Sequence, residues 1–200
     1  PAGGAIFAAN VAERYGLDKV LSFDMGGTTA KICLIKNRTP KTARVFEVAR
    51  TYRFKKGSGM PISIPVIDMV EIGAGGGSLA SVDTMNQIRV GPESSGSNPG
   101  PACYDLGGQS PAVTDADLVL GRLDADNFAA GSIKLNTDKS KKILKEKIGL
   151  TLSMNPTESA YGISEVVDEN MANAARMHAV ENGEDLSDYT MIAFGGAAPL

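Results

Sequence analysis

Cysteine and histidine are scarce: Cys33, Cys103 and His178 are the only ones in 200 residues. With no CxxC pair, the sequence argues against a disulfide framework or a cysteine-rich zinc site, and a cytoplasmic compartment is expected. A single histidine leaves carboxylates, hydroxyls and backbone oxygens as the metal donors, a set suited to Mg²⁺ or Mn²⁺ rather than Zn²⁺. A Ser-His-Asp hydrolase would need His178 as its base. Long apolar runs are also missing, and none approaches the ~18 residues that span a bilayer. Nor is there a basic excess. Lys and Arg number 20 against 23 Asp and Glu, for a net charge of −3, so neither nucleic acid nor an anionic membrane is an expected partner.

Glycine, by contrast, is plentiful, 23 residues, and clustered. The remaining composition, 42% hydrophobic and 22% charged, is that of an ordinary globular chain. Residues 4–16 have helical spacing through Ile6, Phe7, Ala9, Val11 and Ala12, with Gly16 as the stop. Strands are expected over 19–24, 30–36 and 44–54, and then in short pieces through ISIPVIDMVEIG, with Pro65 at a bend. LASVD and QIRVGP read as a hairpin around Thr84-Met85-Asn86. Residues 91–111, dense in Gly, Pro and Ser, read as one long loop. Thr114 or Asp115 is expected to cap a short helix, and TDKSKKILKEKIG to form a basic helix ended by Gly149. Asn155-Pro156-Thr157-Glu158 opens the clearest helix, whose stripe is Ile163, Val167, Met171, Ala174 and Met177. The strand YTMIAF follows. The expectation is one α/β domain over 1–200, and both ends read as internal points of a longer protein.

The segment LSFDMGGTTAKICLI (21–35) poses a choice. A hairpin with a glycine turn explains it, with Asp and Thr bonding the turn backbone. A phosphate or metal site explains it equally, because glycine brings backbone N–H groups close to a ligand and Asp24 can face a cation. A second strand followed by Gly-Gly, FGGAAP, favours the latter. The repeated pattern resembles the phosphate and adenosine turns of the actin, Hsp70 and sugar-kinase superfamily. The stretches PAGGA, SFDMGGTTAKI, VIDMVEIGAGGGSLASVD, IRVGPESSGSNPGPACY, VTDADLVLGRL and DYTMIAFGGAAPL more specifically resemble the hydantoinase A / 5-oxoprolinase family. That family includes N-methylhydantoinase and subunits of acetone carboxylase.

The resemblance implies an RNase H-like lobe with a mixed β-sheet and flanking helices. It also implies ATP with a divalent cation, and an enzyme that phosphorylates the carbonyl oxygen of a cyclic amide or imide so that water can attack. A hydantoinase B-type partner subunit or domain goes with it. The alternatives are an ATP-dependent ketone carboxylase subunit and a non-catalytic assembly subunit. Carried over by residue, Asp24, Gly26, Gly27, Thr28 and Thr29 match a phosphate loop, with Asp24 as the cation-facing carboxylate; Gly195 and Gly196 match the adenosine turn. In GAGGGS, Gly75 and Gly76 bring backbone against phosphate or substrate, with Glu71 as ligand or base, or else mark a crossover where only glycine fits. Relatives commonly carry an acidic residue where Lys31 stands and often a glycine where Ala198 stands. Other residues draw ordinary readings: Cys103 and His178 are expected to be packed, one of Asp115 and Asp117 a cap and the other solvated, and KSKKILKEK a solvated face.

Overall fold

The computed structural model describes residues 2–49, 51 and 57–198. In chain order the main elements are α1 (Ala2–Tyr15), β1 (Lys19–Met25), β2 (Ala30–Lys36), β3 (Thr39–Pro40), β4 (Met69–Ile72), β5 (Ser78–Val82) and β6 (Ile88–Ser94). Then come α2 (Val113–Val119), α3 (Thr137–Leu144), α4 (Pro156–Glu181) and β7 (Thr190–Phe194). Two short antiparallel pairs, Thr42–Ala43 with Val66–Ile67 and Phe46–Val48 with Met60–Ile62, lie between β3 and β4. The main sheet runs β7-β1-β2-β3, with β4 also paired to β2. Its β1–β7 pairing is parallel and its β2–β3 pairing antiparallel. A mixed sheet with helices is the fold class expected from the sequence. The strand expected over 44–54 is confined to Phe46–Val48: residues 44, 45, 49 and 51 lie outside it, Ala49 turning the chain at φ +51°, and Arg50 and residues 52–56 lie outside the described residues.

Contacts divide the chain into two compact units. The first comprises Pro1–Asp24, Lys31–Ile72 and Ala172–Gly195; the second comprises Met25–Ala30, Gly73–Met171 and Gly196–Leu200.

In the first unit, α1 packs through Ala5, Ala8, Ala9 and Ala12 against Val20, Cys33 and Ile35. This corrects the expected apolar face: Ile6 and Phe7 are exposed. Alanines at i, i+3, i+4 and i+7 lie on one face of a helix, and their small side chains let it approach closely. Gly4 extends that approach, because a Cβ there would meet the Phe194 ring at 2.4 Å. Gly16, at φ +66°, ends the helix as expected. On β2, Ile32, Cys33, Leu34 and Ile35 are all buried, so both faces of this strand are covered.

In the second unit, β5 and β6 form the expected antiparallel hairpin, with Val82 opposite Ile88. Asp83 organises its turn by accepting the Met85 and Gln87 N–H groups. A buried carboxylate organises the rest. Asp115 is fully buried and accepts the N–H groups of Ala102, Cys103 and Ala112 together with the Ser140 hydroxyl. It therefore ties the 101–104 turn, the start of α2 and α3 to one acceptor. Asp115 stands inside the first turn of α2 and reaches back to Ala112, rather than preceding the helix as a cap. Asp117, expected in solvent as the alternative to a cap, is instead buried and paired with Arg122 at 3.1 Å.

Gly149 does not stop α3. The chain passes through a π turn at Lys145–Gly149 and continues to Leu152, and Ser153 at φ +56° ends it. Glycine is required at 149 for another reason: a Cβ would lie 2.5 Å from the Met154 carbonyl oxygen. The α4 cap forms as read, with Asn155 Oδ1 accepting from Thr157 and Glu158 N–H and Glu158 accepting from Asn155 N–H. Ile163, Val167, Met171 and Ala174 are buried, whereas Met177 is exposed and His178 takes the inward place. Among the described residues no helix is long and apolar enough to cross a membrane.

Candidate functional site

The turn between β1 and β2 closes through a Gly26 N–H bond to the Thr29 carbonyl at 3.1 Å. Gly27 and Thr28 form its exposed tip. Among the described residues, neither the Gly27 nor the Thr28 N–H has an acceptor. Successive backbone N–H groups without acceptors in a glycine turn are the donors from which anion-binding concavities are built.

The three consecutive glycines hold this turn from behind. Gly76 N–H donates to the Gly26 carbonyl at 3.1 Å, and Gly77 N–H donates to the Gly27 carbonyl at 2.6 Å. A Cβ on Gly75 would lie 2.5 Å from the Gly26 oxygen and 2.7 Å from the Thr28 nitrogen. Only a residue without a side chain permits backbone to lie on backbone so closely. Gly75 N–H itself donates to buried Ser78 Oγ at 2.9 Å. Of the alternatives for GAGGGS, close backbone approach is therefore the local geometry. The N–H groups of Gly75, Gly76 and Gly77 are all engaged within the protein.

Residues far along the chain complete the support. Thr114, in the first turn of α2, donates both its N–H and its hydroxyl to the Gly76 carbonyl, each at 2.7 Å. Ser95 donates its N–H and its hydroxyl to the Gly77 carbonyl at 2.8 and 3.1 Å. Ala197, next to Gly196, donates its N–H to the Met25 carbonyl at 3.0 Å. Gly26, Gly27, Thr28, Thr29, Gly75, Gly76 and Gly196 thus all belong to the second unit. Sequence reasoning missed Ser94, Ser95 and Thr114. The available signal was the density of hydroxyl residues in GPESSGSNPGPACY and VTDADL.

Asp24, Glu71 and Gly195 belong to the first unit. Asp24 is opposite Phe194 in the parallel β1–β7 register. One of its carboxylate oxygens lies 3.5 Å from the Cβ position of Gly4, in the first turn of α1, and a helix start favours negative charge. Gly195 has φ +103°, a conformation open to glycine. Glu71 forms an ion pair with Lys31 at 3.3 Å and borders a cleft of about 300 Å³ with Asp68 and Glu47. Lys31 is thus engaged with a carboxylate on the adjacent strand.

The remaining titratable groups have structural surroundings. Burial pushes the Cys33 thiol up to about 12 and raises that of Cys103 as well, the latter helped by the Asp115 carboxylate. Neither resembles an activated nucleophile. The Asp117 carboxyl is pushed up to about 6, chiefly by burial, with Arg122 opposing the rise. Among the described residues no group of three or more His, Cys, Asp or Glu side chains converges.

The sequence profile of the hydantoinase/oxoprolinase family matches residues 1–200. The chain belongs to the hydantoinase/oxoprolinase family. The gamma subunit of acetophenone carboxylase from Aromatoleum aromaticum is 37% identical over 201 residues, a match that covers 100% of this chain. Two solved structures share the fold. Nucleotide-free acetone carboxylase superposes with a TM-score of 0.84 at 27% identity over 98% of the chain. The ATP-dependent caprolactamase of Pseudomonas jessenii gives 0.78 at 34% identity over 96%. The chain spans 26% to 27% of the length of these relatives. Both solved relatives are ATP-dependent enzymes, and this chain has the α/β lobe with a mixed sheet that its motifs imply.

Proposed function

We propose that this chain is the phosphate-gripping core of an ATP-dependent enzyme that activates the carbonyl oxygen of a cyclic amide or imide for hydrolysis. The observation that carries this reading is the exposed Gly27–Thr28 tip, whose two N–H groups have no acceptor among the described residues. Such donors suit phosphate oxygens, and Thr28 and Thr29 bring hydroxyls to the same turn. Gly75 and Gly76 act through the turn: Gly76 N–H holds the Gly26 carbonyl, as Gly77 N–H holds that of Gly27, and Gly75 lies with its backbone against the turn, so that the tip keeps its shape. Preorganised donors of this kind need no rearrangement when charge develops. Gly195 and Gly196 are the proposed adenosine turn.

Asp24 is the proposed cation-facing carboxylate. Mg²⁺ keeps several waters and phosphate oxygens and takes only one or two protein carboxylates. Glu71, oriented by Lys31, is the proposed base. Bound ATP supplies the phosphoryl group that turns a poorly electrophilic carbonyl into a phosphate ester. The chain's own residues grip, orient and neutralise. The complete protein is proposed to be cytoplasmic and to work with a hydantoinase B-type subunit or domain. Support for a partner comes from the acetophenone carboxylase relative, which is itself a named subunit.

Identity to that relative over the whole chain favours one second reading, ATP-dependent carboxylation of a ketone. Phosphate release from ATP by the full-length protein separates the two. Stimulation by 5-oxoproline, hydantoin or caprolactam, lost in Asp24→Ala, supports the hydrolase. Stimulation only by a ketone with bicarbonate supports the carboxylase. Release that responds to none of these refutes both and leaves a non-catalytic assembly role.

A further inference from the structure

Ser94 at the end of β6 and Ser95 at the start of the long loop that follows stand beside the triple glycine that holds the turn, and they are not equivalent. The Cβ position of Gly77 lies 2.9 Å from the Gly27 carbonyl oxygen, 3.0 Å from Ser94 Oγ and 3.1 Å from Ser95 Oγ. Both hydroxyls therefore stand beside the residue that holds the tip. Ser95 directs its hydroxyl proton to the Gly77 carbonyl, which makes it part of the scaffold. Ser94 Oγ accepts the Gly96 N–H at 3.2 Å, and its own proton has no acceptor among the described residues. An oxygen pinned by an incoming N–H holds its lone pair toward the loop and leaves its O–H to turn elsewhere.

We propose that Ser94 is a phosphate-contacting residue whose hydroxyl donates to an ATP phosphate oxygen held at the Gly27–Thr28 tip, while Ser95 positions it. The proposal rests on reading that tip as the phosphate site. It makes the Ser-rich loop a third wall of the site, beside the turn and the triple glycine. A neutral hydroxyl contributes directionality without charge. Losing one hydrogen bond to a charged oxygen costs roughly tenfold or more in affinity.

The test is calorimetric titration of the full-length protein with ATP in the presence of Mg²⁺, comparing wild type with Ser94→Ala, Ser94→Thr and Ser95→Ala, with thermal midpoints measured alongside. Ser94→Ala is expected to weaken ATP binding about tenfold or more with its midpoint unchanged. Ser94→Thr, which keeps the hydroxyl, is expected to stay within about threefold of wild type, and Ser95→Ala to lower the midpoint as well as the affinity. A purely structural Ser94 would lower the midpoint and leave the intact fraction binding normally, which overturns the proposal. Wild-type affinity in Ser94→Ala overturns the proposal alone and leaves the phosphate turn standing. Absence of ATP binding by the wild type overturns both.

Discussion

Lys31 Nζ stands 3.3 Å from Glu71 Oε1, so the cation that follows the Gly26–Thr29 turn and the carboxylate that precedes the triple glycine neutralise each other across β2 and β4. Glu71 keeps 62% of its side chain exposed, and screened pairs of this kind contribute less than about 1 kcal/mol. Glu71→Gln and Lys31→Met should each shift unfolding free energy by no more than that. Turnover should respond quite differently. Removing a proposed base lowers kcat by about 100-fold or more, and Lys31→Met, which removes only its orienting partner, should cost less. Full turnover in Glu71→Gln would eliminate the base role.

Gly75 and Gly27 separate scaffold from ligand contact. A Cβ at 75 meets backbone at 2.5 Å, whereas one at 27 meets nothing within 4 Å. Gly75→Ala should therefore destabilise the protein by about 1–3 kcal/mol. Gly27→Ala should fold normally yet lose ATP affinity, because its methyl group stands where phosphate is proposed to approach. Thermal melts and ATP titrations on both variants check this. Equal behaviour of the two would contradict it.

Asp117 predicts a pH slope. Its carboxyl titrates near 6 in the fold, raised chiefly by burial, against ~3.9 in an unfolded chain. Between those values the folded state holds a proton that the unfolded chain releases, so this group's contribution is largest below pH 4 and is lost as pH rises to 6. Asp117→Asn removes the slope. Relative to wild type, the variant should gain on the order of 3 kcal/mol between pH 4 and pH 7, read from denaturant midpoints. A difference that stays flat across that range would sink the assignment.

Cys33 and Cys103 are both buried, with thiols raised above their ordinary value. Alkylation at pH 8 should label neither in the native protein and both after unfolding. Mass spectrometry reads the result, and rapid native labelling at either position would show that its surroundings open.

The elements with local signals were legible. Asn155 and Glu158 announce α4 within four residues because a capping box is a local device, and the Asp24–Thr29 turn announces itself through its glycines. What stayed hidden depends on partners distant in sequence. Whether Gly75 binds a ligand or another backbone depends on Gly26 and Thr28, and nothing in GAGGGS names them. Asp115 reads as a helix cap until the turn at 101–104 and Ser140, up to 25 positions away, are seen to share it. On α1, Ile6 and Phe7 look like the core, yet burial goes to the alanines because the sheet approaches too closely for larger side chains. In the candidate site, glycine spacing pointed to the turn, while Ser94, Ser95 and Thr114 carried no spacing signal.

Asp115 also fixes which parts of the second unit can open independently. Releasing Ala102 or Cys103 from its carboxylate leaves a buried charge short of donors, and the same holds for Ala112 and Ser140. Opening any one of these segments therefore weakens the hold on the others. The Ala102, Cys103 and Ala112 amides should exchange with solvent deuterium as one cooperative block, slowly and at a shared rate.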